Sequence, residues 1–247
     1  MALSKSSVTA ALLVIGNEIL CGQTRDANLA FLGERLTALG IRLDEARVVA
    51  DDEDAIVAAL NELRRRFDYV FTTGGIGPTH DDITAASVAK AFGRPLTLHP
   101  EAHRILQAYY KPGELNAARL RMAHTPEGAE LVENPISGAP GFQVENVFVL
   151  AGIPSVMQAM FESLRHRLTG GERVLSETIV AYLPEGRMAE GLGAIQAANP
   201  DVEIGSYPFH KDGRYGARLV LRATDLERLA LVREEVAALV SDLSEDG

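Results

Sequence analysis

Apolar positions along the first part of the chain follow two spacings. The run VTAALLVI (Val8–Ile15) is continuously apolar and rich in β-branched residues, the pattern of a strand buried on both faces. Residues 26–40 instead set Leu29, Leu32, Leu36 and Leu39 at helical spacing, with Gly40 as the stop. The same reading predicts a strand over 42–49, then a helix over Glu53–Arg66 with Ile56, Leu60 and Leu63 inward. A strand over Tyr69–Thr73 follows, and a helix over 82–92 ended by Gly93 and Pro95. Strands alternating with helices of this length predict an α/β unit with a mostly parallel sheet covered on both faces.

The pattern loosens further on. Helices are predicted over 100–110 and 114–122, turn residues over 131–142, a buried strand over 146–150 and a helix over 154–168. Gly170-Gly171 predicts a boundary, giving domains of 1–170 and 171–247. Beyond it the order becomes strand 173–183, helix 187–198, strands 201–207 and 215–223, and helix 225–241, a small α+β domain of βαββα type.

Composition narrows the function classes. With 47% hydrophobic residues in 247, the chain can bury a substantial core. No apolar run reaches the ~18–20 residues a membrane span needs. The N-terminal MALSKSSVTAALLVIG has one Lys and runs into GNE without a small-residue cleavage site, so no signal peptide is expected and a cytoplasmic location is. A single cysteine, Cys21, excludes an intrachain disulfide framework and a cysteine metal cluster. The net charge of −10 opposes duplex nucleic acid and anionic membranes as partners, but not a nucleotide in a local pocket.

The segment TTGGIGPTHDD, residues 72–82, carries the chemistry. It leaves a strand and opens a helix, where ligands of open α/β sheets bind. Gly74, Gly75 and Gly77 let the backbone turn and approach a ligand, and their N–H groups favour an anion. The loop is neither a Walker loop nor a dinucleotide fingerprint. It ends on Asp81 and Asp82. Thr79 to Asp82 fits a T-x-x-D capping pattern, which accounts for one acid. A carboxylate beside a phosphate otherwise repels it by about 1 kcal/mol or more at ~4 Å, which a bridging divalent cation would reverse. A second acidic turn, Asp51-Asp52-Glu53-Asp54, ends the preceding strand, and Glu18 follows the first strand. Three strand ends would thus deliver carboxylates to one rim.

These segments resemble a known family. IGNEILCGQTRDANLAFLGERLTALGI, VVADD and TTGGIGPTHDDIT are similar to the MoaB/Mog molybdopterin-binding superfamily. With NPISGAPGF and LAGIPSVM they resemble more narrowly the N-terminal part of CinA proteins, over residues 8–168. The tail from 174 to 239 is similar to the small middle domain of that family. The resemblance implies a three-layer α/β/α fold. It also implies a metal-dependent nucleotide pyrophosphatase that cleaves ADP-ribose or a related dinucleotide, with Mg²⁺, Mn²⁺ or Co²⁺ as cofactor. The alternatives are adenylyl transfer to molybdopterin, or a non-catalytic pterin or nucleotide-binding module.

Carried across, the resemblance places Asp82 on the family's acidic position after the glycine loop and either Asp51 or Asp52 on its acidic turn. Asp82, Asp52 and Asp51 are therefore the expected catalytic residues, and a metal is expected on Asp82 with Asp81 or one of Asp51 and Asp52. It implies substrate contacts from Asn28, Gly74, Gly75, Gly77, Pro78, Thr79, Gly138, Pro140 and Gly141, to which the strand-end rim adds Gly16, Glu18 and Gly152 as expected contacts. A small nucleotide or pterin ligand is expected, with no nucleic-acid or membrane partner, and a homo-oligomer, a dimer foremost. Two positions depart from the family's LPG-x-PSE segment: Ala151 stands for the proline and Val156 for the glutamate, which puts catalysis rather than fold in question.

Other candidates are weaker. His99-Pro-Glu-Ala-His103 is not a zinc helix, because Pro100 occupies the position glutamate would need. The GxxG at 213–216 reads as a hairpin turn, in a segment with 14 acidic and 8 basic residues. Arg64–Arg66 suits a helix C-terminus, and Ser155 reads as a helix N-cap.

Overall fold

The structure, a computed structural model, describes residues 8–211 and 213–245, apart from the side chain of Glu245. The start of the N-terminal segment in which no signal peptide is expected, residues 1–7, lies outside the described residues. Contacts divide the chain into two compact units, one ending at Gly171 and the other beginning at Glu172. Among the described residues no helix is long and apolar enough to cross a membrane.

The first unit runs β1 (Val8–Ile15), α1 (Asn17–Leu20), α2 (Asn28–Ala38), β2 (Ile41–Val49), α3 (Glu53–Arg66), β3 (Tyr69–Thr73) and α4 (Thr84–Phe92). It continues with β4 (Leu96–Leu98), α5 (Pro100–Tyr109), α6 (Ala117–Leu120), β5 (His124–Pro126), β6 (Glu130–Val132), β7 (Gly141–Val144), β8 (Val147–Leu150) and α7 (Pro154–Leu164). Six strands form one sheet in the order β2-β1-β3-β8-β7-β6. The first four are parallel, and β7 and β6 add antiparallel at the edge.

Alternation along the strands builds two cores. Leu12, Val14, Phe71 and Phe148 face α2 and α7. Leu13, Ile15, Val70 and Val149 face α3 and α4, including the fully buried Ile56, Leu60 and Leu63. The result is a three-layer α/β/α sandwich. Each such side chain stabilises it by about 1.5–3 kcal/mol through apolar burial.

Several helix starts differ from the sequence pattern, α6 beginning at Ala117 and the helix predicted from residue 187 at Glu185; those of α2 and α4 bear on the rim. α2 begins at Asn28, and Leu29 is 41% exposed. The buried stripe through Leu36 and Leu32 continues back, at the same four-residue step, to Asn28. α4 begins at Thr84, two residues beyond Asp82.

The second unit is β9 (Leu175–Ala181), α8 (Glu185–Ala198), β10 (Glu203–Lys211), β11 (Arg214–Ala223) and α9 (Leu226–Glu245). Its antiparallel sheet has the order β10-β11-β9 over a core that includes Met188, Leu219, Leu221, Val232 and Val236. The GxxG segment is a hairpin: Arg214, Tyr215 and Gly216 pair with Lys211, His210 and Phe209.

Strand register sets the rim. Ile15 lies opposite Val49, Val14 opposite Thr73, and Thr73 opposite Leu150, so Gly16, Ala50, Gly74 and Ala151 leave the sheet side by side. Gly74 sits in the tightest place. Its φ is 106°, and a Cβ there would fall 2.1 Å from the Ile15 carbonyl oxygen. Gly74→Ala is therefore expected to destabilise the protein by about 2 kcal/mol or more, read as a lower urea midpoint. An unchanged midpoint would show that the strand end can move aside.

Candidate functional site

The glycine loop is fastened at both ends. Gly74 N–H donates to the Leu150 carbonyl at 3.2 Å. The buried Thr84, first residue of α4, donates from Oγ1 to the Gly74 carbonyl at 2.9 Å and from N–H to the Gly75 carbonyl at 3.0 Å. The Thr84 hydroxyl takes the space a Cβ on Gly75 would need, 2.2 Å away. Thr84 is thus a site residue that its position in a helical run did not single out.

Asp82 clasps the loop instead of capping the helix. Its Oδ2 accepts the Thr79 N–H at 2.8 Å and the Thr79 hydroxyl at 2.5 Å, while its own N–H donates to the Thr79 carbonyl at 3.3 Å. The carboxylate lies over Gly77, where a Cβ would be 2.7 Å from Oδ2. The N-cap of α4 is Ile83, without a side-chain cap. Asp81 is exposed.

The other acids have local partners as well. Asp52 is the N-cap of α3, accepting the Ala55 N–H at 2.9 Å. Glu53 and Asp54 pair with Lys90 at 2.5 and 3.1 Å. Asp51 accepts the Asn17 N–H at 2.9 Å and so ties the end of β2 to α1. The Glu18 carboxylate folds back over Gly16. Among the described residues no three His, Cys, Asp or Glu side chains form a group that could hold a metal. Asp51, Asp81 and Asp82, expected to share a divalent ion, are not assembled as a ligand set, and two of them already accept backbone N–H groups. A cation at this rim would need ligand oxygens, such as those of a phosphate, to complete its coordination.

On the α2 side of the rim, Asn28 Nδ2 donates to the Gly152 carbonyl at 2.9 Å, and Gly152 packs on Gly74. Asn28 Oδ1 and the Thr73 hydroxyl are buried there with no protein partner. Leaving such atoms unpaired costs about 1–3 kcal/mol each, a cost that a buried water would relieve. The second glycine segment is mainly structural. Asn134 knots its turn, accepting from the N–H groups of Ile136 and Ser137 and donating to Ser137 Oγ and the Ala139 carbonyl. Gly138 packs against the Tyr109 ring, and Gly141 lies between the Val149 carbonyl and Met160. Ser155 is not the N-cap of α7; Ile153 is, with Pro154 after it.

A cleft of about 230 Å³ opens between the loop and the α6–β5 segment. Gly75, Gly77 and Asp82 are in its lining, as is Pro140. Arg121, Met122 and His124, which drew no attention in the sequence, line it too. Pro78 and Thr79 belong to the same loop but do not line the cleft. Gly16, Glu18, Asn28, Gly74, Gly152, Asp51 and Asp52 also lie outside its lining. Val156, where the resemblance expects glutamate, is 6% exposed in the core beneath α7 and does not line the cleft either.

Comparison with known proteins gives a consistent family. Residues 11–169 match the profile of the MoCF_biosynth family, described as "Probable molybdopterin binding domain". Residues 173–245 match "FAD synthase, middle domain". A protein of Archaeoglobus fulgidus is 36% identical over 197 residues, 80% of this chain and 84% of that one. A CinA-like protein of a Geobacter species is 39% identical over 199 residues, 73% of this chain but 48% of the relative. This chain thus spans about half the length of that CinA-like relative. The solved structure of CinA from Thermoplasma acidophilum, a protein given as of unknown function, is 34% identical with a TM-score of 0.63. That likeness covers 66% of this chain and 99% of the other.

Two outcomes follow from the clasp and from the dispersed acids. Asp82→Ala is expected to lose about 1–3 kcal/mol of stability in urea unfolding, and Asp82→Asn less, since an amide oxygen still accepts from Thr79. Without nucleotide, a chelator or millimolar Mg²⁺ is expected to leave the melting temperature unchanged, because a bound ion would stabilise the fold. A rise with Mg²⁺ would reveal a protein-held site.

Proposed function

The chain belongs to the family of probable molybdopterin-binding domains, and we propose that it binds a small phosphate-bearing ligand beneath the glycine loop and hydrolyses the phosphoanhydride of ADP-ribose or a related dinucleotide. The observation that carries this reading is the fastened loop. The Gly74–Thr84 and Thr79–Asp82 bonds hold it at the C-terminal end of the parallel strands, beside the start of α4. That is where backbone N–H groups and the helix dipole favour a phosphate. The match of residues 173–245 to "FAD synthase, middle domain" supports a nucleotide as the ligand.

In the proposed reaction a water oxygen attacks one phosphorus and the bridging P–O bond breaks. AMP and ribose 5-phosphate leave, and the water proton passes to a base. Of the three aspartates expected to act, Asp82 lines the cleft, whereas Asp52 caps α3 and Asp51 holds Asn17. Asp82 is accordingly the carboxylate assigned to the proton. No step is assigned to a divalent cation, since the carboxylates do not assemble to hold one.

A second reading, a molybdopterin ligand with or without adenylyl transfer, draws on the family profile and on the apolar Met122, Leu96 and Phe142 in the cleft, which suit a planar ring. The test is AMP release from ADP-ribose, FAD and NAD, with Mg²⁺, Mn²⁺, Co²⁺ and chelator arms. Asp82→Ala is expected to slow turnover by about 100-fold or more. No release above blank from any substrate, or equal rates for the variant, would overturn the hydrolytic reading. Saturable pterin binding would then support the second.

A further inference from the structure

The cleft that the glycine loop lines also carries a guanidinium and an imidazole. Arg121 opens a 3₁₀ turn, Arg121–Ala123, and its exposed side chain lines the cleft. Among the described residues no carboxylate pairs with it, whereas the nearby Arg119 donates to the Glu114 carbonyl and lies over the Tyr110 ring. Exposed and without a carboxylate partner, the guanidinium keeps its donors free for an anion that enters the cleft.

His124 stands beside it on β5, half-buried and held by the pairing of β5 with β4. Its Nδ1 lies 3.2 Å from the Leu120 carbonyl. A carbonyl oxygen can only accept, so Nδ1 carries the proton and is the donor. Nε2 is left as the atom available to a ligand: an acceptor in the neutral ring, a donor in the cation.

We propose that Arg121 and His124 form a second anion subsite, which takes one phosphate of a diphosphate-bearing ligand while the glycine-loop N–H groups take the other. The proposal rests on the phosphate-ligand reading of the cleft given above and names the residues that select for two phosphates over one. A guanidinium offers paired donors matched to phosphate oxygens, and Nε2 meets a further phosphate oxygen, or a ligand hydroxyl next to it. The two parts of the lining are built separately, one from the β3–α4 loop and one from the α6–β5 segment. A ligand spanning both would gain affinity from each.

The test is calorimetric titration of the full chain with inorganic pyrophosphate, ADP-ribose, AMP and adenosine. Variants are Arg121→Ala, Arg121→Lys, His124→Ala and, as a control outside the cleft, Arg119→Ala, each first checked by its melting curve. Arg121→Ala is expected to weaken pyrophosphate and ADP-ribose about tenfold or more, and AMP less. Adenosine should be unaffected, Arg121→Lys should recover part of the loss, and Arg119→Ala should bind as wild type does. Equal binding of pyrophosphate and ADP-ribose by wild type, Arg121→Ala and His124→Ala would overturn the subsite and leave the loop reading standing. Arg121-dependent binding without AMP release would keep the subsite and remove hydrolysis. No binding of any phosphate compound by the wild type would overturn both.

Discussion

The crossing of Gly74 past Ile15 is the constraint on which the rim depends. At the end of β3 the backbone passes so close to the Ile15 carbonyl that only a residue without Cβ fits. The carbonyl it presents in turn receives the Thr84 hydroxyl. That bond fixes where α4 begins, and so fixes the loop between. The cleft, the clasp of Asp82 on Thr79 and the packing of Gly152 on Gly74 all follow from this one close approach. The loop is preorganised by backbone geometry and buried hydrogen bonds, with no need of a ligand to shape it.

The acids at the rim are better understood as fasteners than as a charge cluster. Asp52 caps α3, Asp51 joins β2 to α1, and Asp82 closes the glycine loop. Each satisfies a backbone N–H that would otherwise be unpaired at a helix start or turn. A phosphate near the loop would therefore meet Asp82 as a carboxylate already shared with Thr79, in a cleft that Arg121 also lines. Hydrogen bonding of Thr79 to Asp82, and the Arg121 guanidinium in the same cleft lining, would both lower the repulsion that a phosphate there meets from the two aspartates.

The departures at Ala151 and Val156 look different once placed. Val156 packs with Met157 and Met160 under α7, so its apolar character serves the core. The cleft's own lining owes more to residues 121–124, which join a 3₁₀ turn to a short strand and show no helical or strand period. Arg121 has no acid three or four places away to suggest a surface pair, and that absence was its one trace in the sequence.

The sequence alone determined the alternation of strands and helices, because apolar spacing records which face each segment must bury. Val8–Ile15, Glu53–Arg66 and Tyr69–Thr73 were legible to the residue. It also determined the glycine loop's place at a strand end, since three glycines and a proline permit little else there. What it could not carry is any contact between segments far apart in the chain. The buried stripe of α2 ran through Asn28 and left Leu29 in solvent because the first turn of α2 lies beside Gly152. Asp82 turned back to Thr79 because α4 could begin only where Thr84 reaches Gly74. Arg121 and His124 came to the loop by the pairing of β5 with β4. Periodicity is a local property of the chain, whereas a cleft is made where the sheet's register brings separate strand ends together, and only the tertiary structure decides that.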